Sequence, residues 1–224
     1  MNNKGSALKK KVRMIVDIML TVILLCLMSY QITGEVLHEW FGIALTVLLI
    51  VHNMLNIKWY SALFRGRYTA YRTVSTVINL LMFLCIAVTA LCGMAMSNHA
   101  VPFLNGFISP YYARILHLSL SHWCFILMGL HLGMHVPVMF SGLKIQGKSK
   151  VVVCIICAVI AAAGIMVFIR NGIPDYLLMR THFAVFDDSK TASVVFLENI
   201  FMLLTFVMAG AVTAKLLMRR NANN

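Results

Sequence analysis

The stretch from Gly34 to Asn56, GEVLHEWFGIALTVLLIVHNMLN, is an apolar run with a histidine towards each end, His38 and His52. Fourteen steps separate the two. On an α-helix they bring the second side chain back to within about 40° of the first, and set the pair about 21 Å apart along the axis. Both imidazoles therefore share one face, near opposite edges of a hydrocarbon layer about 30 Å thick. Ionisable groups at such depths are costly and mark function. Two of them at two levels ask for a cofactor at each level.

The rest of the chain supplies a membrane context. Of its 224 residues 61% are hydrophobic and 12% are charged, far from the balance of a soluble domain. Several apolar runs reach about 20 residues, the length that spans a bilayer as a helix. The alternating segments of about ten residues that make a transmembrane barrel are missing. The expectation is an all-α, polytopic membrane protein with six transmembrane helices, at about 14–33, 37–57, 74–97, 112–140, 151–170 and 194–217. Spans one to four, residues 1–140, are expected to form a four-helix haem-binding core. Residues 141–224 add two further helices joined by a loop at 171–193. The Lys9-Lys10-Lys11 run before the first span resembles a signal-peptide start. No small-residue cleavage site follows it, so it reads as an uncleaved span. The six cysteines all lie in apolar runs and read as small apolar fillers, Cys154-x-x-Cys157 included.

The net charge of +12 is a topology signal. Lys4, Lys9, Lys10, Lys11 and Arg13 precede span one. Lys58, Arg65, Arg67 and Arg72 follow span two, Lys144, Lys148 and Lys150 follow span four, and Lys215, Arg219 and Arg220 end the chain. These are fifteen of the nineteen basic residues, on alternate connections. The positive-inside rule places them, and both termini, on the cytoplasmic side of a bacterial cytoplasmic membrane. Membrane lipid is the partner they imply, and no aromatic-basic face supports nucleic acid.

Span four repeats the spacing of span two. It carries His117, His122, His131 and His135, and His117 and His131 are again fourteen apart. One full crossing separates spans two and four, so they run in the same direction. Side by side they pair His38 with His117 at the outer level and His52 with His131 at the inner one. Each pair can clamp a flat macrocycle between imidazoles, as two b-type haems with bis-histidine ligation require. One metal ion cannot serve histidines about 21 Å apart, because each bond is only about 2 Å long. His135 lies five full turns from His117 and is an alternative to His131 as the inner ligand. His122 points about 140° away from His117, towards another helix or a quinone pocket.

Other residues fit around this pattern. Gly42, Gly129 and Gly133 would let a flat ring approach a helix backbone. Gly129 and Gly133 also form the small-residue spacing of helix–helix contacts. Arg114 is placed to bind an outer haem propionate. Asp17 lies four residues after Arg13 and reads as its ion-pair partner, with a proton path as the alternative. Glu198 reads as an interfacial acid, or as a proton-exchanging group at a quinone.

The segment from Asp17 through Thr33-Gly34, His38-Glu39-Trp40 and His52-Asn53 to Trp59 resembles the flavinylation-associated cytochrome family, two membrane helices of the form D…TG…HEW…G…H…N. The likeness covers about the first 60 residues. It implies a b-type haem protein working beside flavoproteins, with His38 and His52 as ligands. The second half is similar to the di-haem cytochrome b of respiratory complexes and to ferric-reductase-type proteins. No flavin-attachment motif and no glycine-rich nucleotide fingerprint is present.

Together these readings predict an electron-transfer subunit of an oxidoreductase system. It would carry electrons between a quinone or cytoplasmic donor and an outer redox partner protein, in the resemblance a flavoprotein. The alternatives are a quinone or ferric reductase in its own right, and a non-redox anchor or metal-binding transporter. The topology is directly testable. Single cysteines placed in 58–72 and 147–150 of a cysteine-free variant are expected to react with an impermeant maleimide only after the membrane is opened. Cysteines placed in 98–109 should react in intact cells.

Overall fold

The computed structural model describes residues 3–140 and 147–222, so Lys144 of the basic connections lies outside the described residues. It is helical throughout, with no strand among those residues. The elements are α1 (Asn3–Met28), α2 (Tyr30–Leu55), α3 (Ile57–Ala62), α4 (Ala70–Ala95), a 3-10 turn (Pro102–Leu104), α5 (Pro110–Met139), α6 (Gly147–Arg170), α7 (Ile173–Leu177) and α8 (Ala192–Ala222).

Five helices, α2, α4, α5, α6 and α8, are long and apolar enough to cross a membrane. That makes the chain a polytopic helical membrane protein. The helix α1 falls short of the same test for a local reason. Any 18-residue window inside it includes at least Lys11, Arg13 and Asp17, because the helix stops at Met28. The apolar run itself continues. Ser29 is irregular (φ −98°, ψ 41°), yet Ile32 and Thr33 donate back to its carbonyl at 2.9 and 3.1 Å. The chain reverses only at Gly34, whose φ of 68° favours a residue without Cβ. The break therefore falls between the two expected spans, and α1 and α2 pack as a hairpin.

The helix α5 is the axis of the bundle. It packs against α4 on one side and α8 on another, while α6 lies on α8. Glycines allow the α5–α8 approach. A Cβ at Gly133 would stand 2.2 Å from the Val207 carbonyl oxygen, and one at Gly129 would stand 2.6 Å from Phe206 Cβ. Gly129 thus lies against α8, the helix-packing use that its spacing with Gly133 offered. Small residues bring the backbones together where water cannot drive association.

The buried apolar cluster joins Leu24 of α1, Phe125 and Met128 of α5, Ile173 of α7, and Met202 and Leu203 of α8. The helix α8 thus stands at the centre of this core, beside α1 and α5. A second cluster, Cys92, Ala95 and Ala113, seals α4 to α5. By contrast, α2 contributes no buried residue.

The connection between α6 and α8, expected as a loop, holds the short helix α7, which packs inward. Ile173 and Tyr176 are buried, and the Leu177 carbonyl accepts from Ser119 Oγ at 3.3 Å and Trp123 Nε1 at 3.2 Å.

Gly133→Ala is expected to lower stability by about 1–3 kcal/mol, because backbone atoms cannot yield to the added methyl. Gly42→Ala meets nothing within 4 Å and should be neutral or slightly stabilising through helix propensity. Thermal unfolding of the detergent-solubilised variants checks both.

Candidate cofactor site

At the end of the bundle that carries the 98–109 and 171–191 connections, a cavity of about 920 Å³ opens between α1, α2, α4, α5 and α8. His38, Gly42, Thr89, Gly93, Arg114 and His117 line it. The rings of His38 on α2 and His117 on α5 meet edge-on, with centroids 5.9 Å apart and planes inclined by 66°. Two imidazoles bound to one metal through bonds of about 2 Å place their centroids about 6 Å apart. The two histidines that the sequence spacing pairs are neighbours in the structure.

The ring of His117 is fixed from behind. Its Nδ1 lies 3.0 Å from the carbonyl oxygen of Thr89. A carbonyl only accepts, so Nδ1 carries the proton and Nε2 keeps its lone pair. Gly93, one turn further along α4, makes room for this. A Cβ there would crowd His117 Cε1 at 3.2 Å. On the other side of the cavity, His38 Nδ1 is buried and has no hydrogen-bond partner. Gly42, one turn after His38, faces open space in the cavity wall. Two imidazoles, one unsatisfied ring nitrogen and two glycine-relieved walls fit a flat group held through its metal. Arg114 lines the same cavity with its guanidinium 5.7 Å from the Phe183 ring.

The second level lies nearer the basic end. His52 Nδ1 is 2.7 Å from Asp17 Oδ1. His131 Nδ1 is 2.7 Å from Asn79 Oδ1. Both side-chain oxygens hold the δ nitrogen of an imidazole, as outer-shell acceptors of metal-ligating histidines do. Asp17 is therefore the partner of His52. Its expected pairing with Arg13 is not formed, because the Arg13 guanidinium donates to the Leu55 carbonyl instead. His52 and His131 are not in ring contact as the first pair is. His52 Nε2 has the Asn56 amide at 3.5 Å. His135 is exposed, set edge-on to His131 at 4.8 Å. Between the two candidates for this level, His131 is the half-buried one with a held δ nitrogen.

His122 and Arg72 have structural roles. His122 turns away from His117 and stacks on Tyr176 at 4.5 Å, its Nδ1 bonded to the Leu118 carbonyl at 2.7 Å. Arg72 bonds the Ala62 and Arg67 carbonyls at 2.6 and 3.2 Å and lies over Tyr68, closing the connection before α4.

Glu39, beside His38, has a role that the sequence did not announce. Its carboxylate accepts from Ser97 Oγ at 2.7 Å and from the N–H groups of Asn98, His99 and Ala100 at 2.9, 2.8 and 2.8 Å. It caps the turn after α4 and ties α2 to it. Glu35, Glu39 and His99 bring ligand atoms within 4.8 Å of one another, but those hydrogen bonds already occupy both oxygens of Glu39.

A loop roofs the cavity. Phe186 stacks on Tyr30 with centroids 5.7 Å apart, and Gln31 Nε2 donates to the Asp187 carbonyl at 2.7 Å. The Ser189 hydroxyl and N–H hold the Asp187 carboxyl below its usual pKa.

No protein-family model matches this chain, and no curated protein or solved structure does either. The site therefore rests on its own geometry. Glu39→Ala leaves four donors of the 97–100 turn without their acceptor, at a cost of about 2 kcal/mol. Hydrogen exchange at 98–100 is expected to speed up sharply in that variant, with α5 and α8 unchanged.

Proposed function

We propose that the protein carries electrons across a membrane through two b-type haems, each held by two histidines. His38 and His117 would hold the one at the cavity end. His52 and His131 would hold the other. The observation that carries this reading is the pairing of His38 and His117 at 5.9 Å; one matched spacing away, His52 and His131 are not in ring contact, but each has its δ nitrogen held by an oxygen. Haem supplies a one-electron couple whose potential the protein tunes.

The chain's own residues do the rest. Thr89, Asp17 and Asn79 orient imidazoles and fix which nitrogen is free. Apolar helix faces keep water away from both levels. Arg114 offers a cation to a propionate at the cavity end. In this reading α1 is the sixth span, completed past Ser29 to Gly34, and spans one to four supply all four ligands. Both termini and the basic connections lie on the cytoplasmic side, which makes the cavity end the outer one. The resemblance of residues 17–59 to flavinylation-associated cytochromes adds a flavoprotein as the outer redox partner.

The test is spectroscopic. Protein purified from cells grown with a haem supply should show a Soret band and α bands that sharpen on dithionite, with two haems per chain by pyridine haemochrome. His38→Ala and His117→Ala should each remove the same haem and leave the other. A colourless, folded preparation would sink the proposal, and loss of different haems from those two variants would sink the pairing.

A further inference from the structure

On the face between α6 and α8 an apolar groove of about 560 Å³ is lined by residues such as Val159, Ala163, Met166, Val194 and Phe201. Among the described residues, Glu198 is its one polar lining residue and the only one that this groove shares with the histidine cavity. It is half-buried and acidic, at a depth where a carboxyl group needs a partner. That partner is built in. Lys190 Nζ lies 2.7 Å from Glu198 Oε2 and 2.9 Å from Asn171 Oδ1, and Asn171 Nδ2 donates to the same Oε2 at 3.0 Å. The side chains of Lys190 and Glu198 are 12% and 13% exposed.

The hydrogen-bond count leaves this triad unfinished. Asn171 uses its amide on both sides. Glu198 uses Oε2 twice and Oε1 not at all. Lys190 uses two of its three protons. One acceptor and one donor therefore remain side by side, where an apolar groove meets the cavity. A clamp for the loop alone would not need a groove on its other side.

We infer that this junction binds a membrane-soluble quinone or quinol. Its prenyl tail would lie in the α6–α8 groove and its ring at Glu198 and Lys190. A ring hydroxyl can donate to Glu198 Oε1, and a ring carbonyl can accept from Lys190 Nζ. A phospholipid suits the groove less well, because its phosphate would meet the Glu198 carboxylate. The proposed electron transfer gives such a ligand its use, and this inference rests on that reading for its purpose. Occupancy depends on α6, α8, Asn171 and Lys190 and on no histidine, so it can be read without haem.

Full-length protein in nanodiscs of defined phospholipid is exposed to a photoreactive azido-quinone with a prenyl tail, and the adducts are mapped by mass spectrometry. Adducts are expected in 159–167 and 194–201. Glu198→Gln removes one acceptor and should raise the half-saturating quinone concentration about tenfold. Ala163→Phe fills the groove, leaves the triad intact and should abolish the adducts while thermal stability is kept. Adducts spread over all lipid-facing helices, adducts insensitive to Ala163→Phe, or adducts displaced by added phosphatidylglycerol rather than by unlabelled quinone would each overturn the site. A haem-free preparation that still labels in the groove would leave this site standing and count against the electron-transfer reading alone.

Discussion

The structure depends on how imidazoles are satisfied where water is scarce. A histidine inside an apolar bundle must place two ring nitrogens, and an unmet polar group there costs several kcal/mol. Three histidines meet half of the demand with an oxygen on another helix. His117 uses a carbonyl of α4, His131 an amide of α4, and His52 a carboxylate of α1. Each bond joins two helices, fixes a tautomer and leaves Nε2 to be matched elsewhere. His122 takes the local solution, the carbonyl one turn back on its own helix. That difference separates a histidine that fills a core from histidines set to present a nitrogen.

The glycines follow from the same geometry. Gly93 is spent on letting His117 lie close to α4, whereas Gly129 and Gly133 bring α5 against α8. Identical residues on neighbouring helices thus serve two ends. The G-x-x-x-G spacing marks the packing use and carries no information about the other. With α4 and α8 locked to α5, the wall holding His117 is rigid. The wall holding His38 is α2, which buries no residue.

How much of this is readable from the chain depends on the range of each interaction. Span positions, the reversal at Gly34, the shared face of His38 and His52 and the turned-away His122 are consequences of helical periodicity, and periodicity is local. The pairing of His38 with His117 follows from two matched spacings plus a parity argument about crossings. The partners of the δ nitrogens do not follow from any spacing. Asp17 is four residues from Arg13, an arrangement that reads as an ion pair along a helix. The fold instead gives Asp17 to His52 and sends Arg13 to Leu55. Asn79 and Thr89 are ordinary helix residues until α4 is laid on α5. Glu39 looked like one letter of a motif and is the tie between α2 and the turn after α4. The place of α8 in the core was hidden for the same reason: an apolar helix shows that it is buried in something, not in what.

The attachment of α2 bears on how two histidines on one helix can be kept in register with their neighbours. With no buried residue, α2 lies along α1 and barely touches the rest of the bundle. Polar ties hold it at its two ends. At one end Glu39 gathers four donors from the 97–100 turn. At the other, Arg13 reaches the Leu55 carbonyl and Asp17 reaches His52. Polar ties are directional, so they set height and rotation more sharply than apolar contact, which tolerates sliding. Those ties sit beside His38 and His52, the two positions whose depth matters. A helix pinned next to each histidine can leave the face between them open to a cavity without losing the level of either ring. The arrangement explains why the sparsest packing in the bundle and its most chemically demanding residues occur on the same helix.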